Sequence, residues 1–341
     1  MKKIICILLV IAFALSFTSC APKEKEFSKS TLDYFDTVCT VTAYDKNEKE
    51  FNIHVSELEK ELKRYNELFD IYNKYEGVNN LYTLNELAGK KAVKVDKDII
   101  GLLKFSKEIY KVSGGKTNIA LGSVLEIWHE KREEGKELPD MKELKNAAKH
   151  TDINDVIIDE EASSVFFKDK DLKLDVGAIA KGYTADKLCK YVKKKGLFKG
   201  ALINLGGNAC AIGVKPDGSP WNIAIDNANE NIKDYLCTLS VNNKCVITSA
   251  DNQRYYTVDG KRYCHIIDPD TLMPADDFHQ VTVICDNSAL GDALSTTLFN
   301  MPLEEGKKLV KSYDGVEALW MTKDYRIVYS KGFKDFINEK V

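Results

Sequence analysis

None of the nine cysteines is spaced C-x-x-C, and none stands with histidine at zinc-finger spacing. The sequence therefore makes no case for a structural zinc site. Cys6 and Cys20 fall in the N-terminal segment. The other seven are an odd number, scattered through strand-like and helix-like stretches. That pattern argues against a disulfide framework and for small buried side chains. An excess of one charge is also missing: 49 Lys and Arg against 52 Asp and Glu leave a net charge of -3. Nothing there calls for nucleic acid as a partner. The Lys193-Lys194-Lys195 run reads as solvated helix surface. No internal repeat or low-complexity tract occurs. Beyond Phe17, no apolar run reaches the roughly 20 residues of a membrane span.

What is present begins with Lys2 and Lys3, followed by an apolar run from Ile4 to Phe17. This reads as a signal-peptide core. Phe17-Thr18-Ser19-Cys20 resembles the lipobox of bacterial lipoproteins, with Phe17 where Leu is usual. The expected division is a signal peptide over 1–19, a tether over 20–30 bearing acyl chains such as palmitate on Cys20, and one folded domain over 31–341. A plain cleaved signal peptide, with Cys20 incidental, is the alternative. The lipoprotein reading places the protein on the extracytoplasmic face of the cell membrane.

Alternation of β-branched and aromatic residues predicts a strand over Tyr34–Tyr44. Further strands are expected at Ala201–Asn204, Ala209–Val214, Trp221–Asp226, Leu236–Ser249, Arg254–Val258, Arg262–Ile267 and Gln280–Cys285. Val156–Leu174 reads as two short strands about a turn at Glu160–Ser163, and Val316–Thr322 with Arg326–Ser330 as a closing hairpin. Helical spacing marks Phe51–Tyr72, Asp96–Ser113 with Asp96 as N-cap, Ala120–His129, Ile179–Lys195 with Gly196 as C-cap, and Ala289–Phe299. Strands come in runs with few helices between, so the fold class is α+β: a largely antiparallel sheet core with flanking helices.

Four segments can carry chemistry. In Leu172-Lys173-Leu174-Asp175-Val176-Gly177-Ala178-Ile179-Ala180-Lys181-Gly182-Tyr183, an acid precedes a small-residue turn and a helix start. Such a junction offers free amides to phosphate, and Lys181 adds a charge. Equally, it reads as a tight turn with a surface lysine. Ile203-Asn204-Leu205-Gly206-Gly207-Asn208 is a second glycine junction, by itself a plain turn. His265, beside Asp268-Pro269, is one of only five histidines and a candidate proton acceptor. Asp292 and Thr296 are four apart on one helix face, and their hard oxygens suit Mg2+ holding phosphate. A polar helix face is the competing reading.

In sequence order, FDTVCTV, TNIALGSVLEIW, LDVGAIAKGYTAD, INLGGN, TSADNQRYY, HIIDPDT and DALSTTLF resemble the ApbE family of FAD:protein FMN transferases. The resemblance runs from Phe35 to the C-terminus. It implies an ApbE-like fold and a Mg2+-dependent enzyme, with Mn2+ as a substitute. FAD is the substrate, and FMN is joined through a phosphoester to a Thr or Ser of an acceptor flavoprotein as AMP leaves. The acceptor would carry an Asp-containing motif ending in Ala-Thr. By position, the resemblance makes Asp292, Ser295, Thr296 and the Ala178 carbonyl metal ligands. It puts Phe35, Tyr72, Asn118, Ile119, Ala120, Asp175, Lys181 and Ile266 against FAD, and makes His265 the base. Three motifs depart from the family: Leu272 follows Thr271 where Gly is usual, Ala250 replaces Gly, and Asn118-Ile119-Ala120 replaces Asp-x-Thr. Two other readings use the same residues: a Mg2+-dependent FAD pyrophosphatase with water as acceptor, and a non-catalytic flavin-binding lipoprotein.

Overall fold

A computed structural model describes residues 24–340, so the signal segment and Cys20 lie outside the described residues. Strands β1 (Lys25–Tyr34) and β2 (Thr37–Asp45) pair antiparallel at the start of the chain. The expected tether is thus shorter at its C-terminal end, since Lys25–Ser30 belong to β1. Helix α1 (Glu48–Phe69) follows. Asn47 caps it by accepting from Glu50 N–H, and Phe51, Val55, Leu58, Leu62 and Tyr65 form its buried stripe. Next come α2 (Leu81–Glu86), β3 (Val93–Lys94) and α3 (Lys97–Val112), where Asp96 is the N-cap as expected. The chain continues through α4 (Gly122–Glu134), α5 (Met141–Ala147), β4 (Val156–Asp159) and β5 (Ser164–Phe167). Helix α6 (Ala180–Lys195) ends at Gly196, whose φ of 63° is the left-handed cap that glycine supplies.

Strands β6 (Ala201–Leu205), β7 (Asn208–Ile212), β8 (Trp221–Ile225), β9 (Cys237–Val241), β10 (Cys245–Ala250), β11 (Tyr255–Val258), β12 (Lys261–Cys264) and β13 (Phe278–Cys285) come next. Helices α7 (Ser288–Phe299) and α8 (Leu303–Lys311) precede β14 (Glu317–Thr322), β15 (Ile327–Tyr329) and β16 (Ile337–Lys340). The main sheet has the order β1-β2-β6-β7-β10-β13-β14-β15, and its pairings are antiparallel. Because side chains alternate across a strand, each face has its own core. One face, with Ile203, Cys210, Ile247 and Val283, packs against α1, α6 and α7. The opposite face, with Ala211, Val246, Ile284 and Leu319, packs against Trp221, Ile223 and Leu239 of a second sheet ordered β16-β9-β8.

That second sheet corrects one expectation. Leu236–Ser249 is not one strand but two, β9 and β10, and they belong to different sheets. The break is at Asn243, which adopts φ 51° and whose side-chain oxygen accepts from Gly213 N–H. Six of the seven described cysteines are buried, and all seven are free thiols. No helix among the described residues is long and apolar enough to cross a membrane.

Candidate active site

The junction before α6 is held by side chains rather than by a sheet. Leu172–Val176, expected to end a strand, lies outside regular structure. Instead the Asn85 side-chain amide pairs with both N–H and C=O of Leu174, and Asp175 N–H donates to Ile119 C=O at 2.8 Å. Asp175 Oδ1 then accepts from Gly177 N–H at 2.8 Å. This Asx turn aims the chain into α6. Burial pushes the Asp175 carboxyl up; the Gly177 N–H and the charges of Arg132 and Arg254 oppose that.

Helix α6 touches α7 where Gly182 faces Asp292. A Cβ on Gly182 would lie 2.3 Å from Asp292 Cβ and 2.4 Å from Ser288 O, so only glycine fits. The approach lets Gly182 N–H donate to Asp292 Oδ2 at 2.7 Å. Gly182 is the third residue of α6 after its N-cap Ile179, so its N–H is a first-turn donor with no partner inside the helix, and Asp292 supplies one. Ala178 precedes the cap, so its carbonyl is not committed to α6. Asp292 is 4% exposed. Burial pushes its carboxyl up, against Lys181 and the Gly182 N–H. Asn208 Nδ2, from the second glycine junction, is also buried and faces this carboxyl, whose pKa it lowers. An almost wholly buried helix carrying a carboxylate needs a reason to do so.

The donors around Asp292 suit a hard cation. Thr296 lies one turn further along and half-buried. Ser295 Oγ donates to Asp292 C=O and meets Ser249 Oγ at 2.8 Å. With the Ala178 carbonyl, this is a carboxylate, two hydroxyls and a main-chain oxygen, a donor set of the kind Mg2+ takes.

His265 sits immediately after β12. Its N–H donates to Arg254 C=O at 2.9 Å, and its Nδ1 lies 3.2 Å from the same oxygen. Burial first, then the charges of Lys181, Arg254 and Arg132, push its pKa down to about 4. The ring is therefore neutral at pH 7. Arg132 and Arg254 act on Asp175 as well, and Lys181 acts on Asp292, so the junction, the Asp292 helix and His265 share one electrostatic neighbourhood.

The aromatic candidates stand at the rim. Phe35 and Asp36 form the two-residue turn between β1 and β2 with φ of 53° and 51°. A two-residue hairpin of this kind needs positive φ at both positions, which a bulky Phe rarely supplies. Asn66 holds the strained turn by accepting from Phe35 N–H at 2.8 Å, and Arg254 donates to Asp36 C=O at 2.9 Å. Tyr72 is 62% exposed, and its ring lies 5.6 Å from that of His129. Arg132 reaches His129 Nδ1 at 2.6 Å.

Asn118, Ile119 and Ala120 are placed differently from a side-chain contact. Asn118 caps a short 3-10 turn through Ala120 N–H, and its Nδ2 donates to Thr151 C=O. Ile119 and Ala120 have buried side chains, and Ile266 is buried as well. These four offer a ligand chiefly backbone. The loop is tied to α7 by Thr117 Oγ1 at 2.7 Å from Thr297 Oγ1. Sequence reasoning missed Arg132, Arg254 and Asn66. Arg254 lies inside TSADNQRYY, but nothing about the residue type singled it out. Arg132 looks like one more charge on a polar helix.

Together these features define an antiparallel α+β protein in which cations, a hard-oxygen cluster and a neutral histidine share one electrostatic neighbourhood. The chain belongs to the ApbE family, whose sequence profile matches residues 35–320. It is 32% identical over 270 residues to an FAD:protein FMN transferase of Klebsiella pneumoniae, spanning 79% of this chain and 82% of that one. A Treponema pallidum protein of the same name is 30% identical over 334 residues, spanning 92% and 89%. The crystal structure of the ApbE protein from Thermotoga maritima superposes with a TM-score of 0.82 at 26% identity, covering 92% of this chain and all of that one. The apo flavinyl transferase ApbE of Pseudomonas stutzeri shares the fold at a TM-score of 0.78 and 23% identity, over 94% and 99% of the two chains.

Proposed function

We propose that this chain is an FAD:protein FMN transferase, moving the FMN half of FAD onto a Thr or Ser hydroxyl of an acceptor protein. The observation that carries the reading is the Gly182–Asp292 contact. It sets a buried carboxylate and hydroxyl cluster against a phosphate-type helix junction, with Lys181 and His265 alongside. The names of the curated relatives agree with it.

In this reading FAD lies along these groups. Phe35 and Tyr72 offer aromatic faces to the isoalloxazine. Lys181, Arg132 and Arg254 neutralise the diphosphate. Asp292, Thr296, Ser295 and the Ala178 carbonyl would hold Mg2+, which supplies further charge neutralisation when bound. Neutral His265 takes the proton from the attacking hydroxyl. A new O–P bond forms at the phosphorus nearer riboflavin, the bridging P–O bond breaks, and AMP carries away the electron pair. Positioning and charge do most of this work. We further place the enzyme on the extracytoplasmic face of the membrane, anchored through lipidated Cys20, with an extracytoplasmic electron-transfer flavoprotein as the natural class of acceptor.

The test mixes the soluble chain with FAD, Mg2+ and a short peptide containing Asp and ending in Ala-Thr. A flavin-fluorescent peptide that survives denaturation is expected, with one AMP per label, and chelation with EDTA should stop it. FMN and AMP without labelled peptide would mean hydrolysis instead. Unchanged FAD would mean a carrier.

A further inference from the structure

Among the described residues, the outer edge of β12 is left unpaired beside the base. In the β11–β12 hairpin, Val258 pairs with Lys261 across the Asp259-Gly260 turn, and Tyr256 with Tyr263. His265 N–H continues this ladder by bonding Arg254 C=O. Hydrogen-bonded and non-bonded pairs alternate in an antiparallel ladder. Arg262 and Cys264 must therefore turn their N–H and C=O groups away from β11. Past Cys264, that outer edge is occupied: Ala275 N–H donates to Ile266 C=O, Asp268 N–H donates to Met273 C=O, and Ile267 bridges Pro274. Continued in the same register, Asp277 would face Cys264 and His279 would face Arg262.

The chain does not continue there. His279 is the extra residue of a bulge, between the pairs Phe278 with Thr322 and Gln280 with Met321. A bulge bends its strand and ends the local pairing. The His279 ring is held on the far side by Asp251 Oδ2 at 2.8 Å and by stacking on Tyr325 at 4.4 Å. Tyr325 itself adopts φ 58°. Where a strand would have run, there is a cavity of about 450 Å³ between Arg262–Cys264 and Pro274–Asp276. No residue assigned above to FAD or metal lines it.

We propose that this gap receives the acceptor polypeptide. An extended acceptor segment enters as a strand, bonds to the main chain of Arg262 and Cys264, and brings its hydroxyl to His265, the next residue. The proposal rests on the transferase reading. Main-chain donors and acceptors at alternate residues of a free edge are the complement of a peptide backbone. An enzyme that passes FMN only to water has no use for such an edge.

The Asp-containing, Ala-Thr-ending peptide serves as probe, with FAD and Mg2+ saturating. Arg262→Pro removes one outward N–H at an edge position where proline is tolerated, and Ala275→Trp fills the gap. Each should raise the peptide KM roughly tenfold, as expected for losing one or two hydrogen bonds. FAD binding, read by flavin fluorescence, and acceptor-free AMP release should stay at parental levels. A scan of singly N-methylated peptides, which needs no enzyme variant, should lose transfer at alternate positions. Parental KM in both variants, or tolerance of N-methylation at every position, would overturn the proposal. If the parental enzyme labels no acceptor at all, the transferase reading itself fails, and the proposal with it.

Discussion

At the residue scale, Asp292 and His265 separate into binding and chemistry. Asp292→Asn keeps an oxygen for the Gly182 N–H but loses the negative charge. The variant should fold, yet Mg2+ should no longer raise its melting temperature or support turnover. Retention of either effect would remove Asp292 from the metal set. His265→Ala should slow transfer by about 10²-fold or more, typical for loss of a general base, while FAD still binds. The histidine also makes a pH prediction. Its folded pKa of about 4 lies below the ordinary 6.5. Between these values the unfolded chain takes up a proton that the folded chain refuses, so stability falls as pH drops through that window. His265→Gln should therefore lose less melting temperature between pH 7 and pH 5 than the parent. An equal loss would show that the ring is not held neutral.

At the element scale, the site depends on how closely α6 and α7 approach. Gly182→Ala forces a methyl against Asp292 Cβ and the Ser288 carbonyl, and neither is a flexible side-chain end. The helices must separate, with an overpacking cost of about 1–3 kcal/mol. Thermal unfolding should show the loss, and Mg2+-dependent turnover should fall with it. A Gly182→Ala enzyme of parental stability and activity would mean that the contact is not needed. The strained Phe35-Asp36 turn belongs to this scale too. Two neighbours on other elements, Asn66 and Arg254, hold it, which ties the first hairpin to the residue that hydrogen-bonds His265.

At the scale of the whole molecule, the eight-stranded sheet separates two cores, and β1 is one of its two outer strands. Phe27 of β1 packs on Phe51 of α1 with ring centroids 5.5 Å apart. A chain begun at Thr31 loses that contact and bares most of the β2 edge, which invites strand-to-strand association. It should melt lower and aggregate more than a chain begun at Ala21, as calorimetry and size-exclusion chromatography would show. Equal behaviour would mean that β1 is dispensable.

The α+β class, most strands, the α3 N-cap and the α6 C-cap were legible in the sequence because they depend on local periodicity and turn chemistry. So was ApbE membership, carried by the order of its motifs. Leu236–Ser249 looked continuous because apolar alternation does not report which sheet a strand joins. Local sequence also left Asp175, Lys181 and Asp292 as separate modest signals. Their meeting depends on one glycine opposite a carboxylate 110 positions away, a contact that no local window contains. Arg132 and Arg254 gained significance in the same way, because the field at His265 sums charges brought together from different elements. The free edge of β12 likewise arises from a bulge in another strand. Residue order set which groups were available, and long-range packing decided which of them come together.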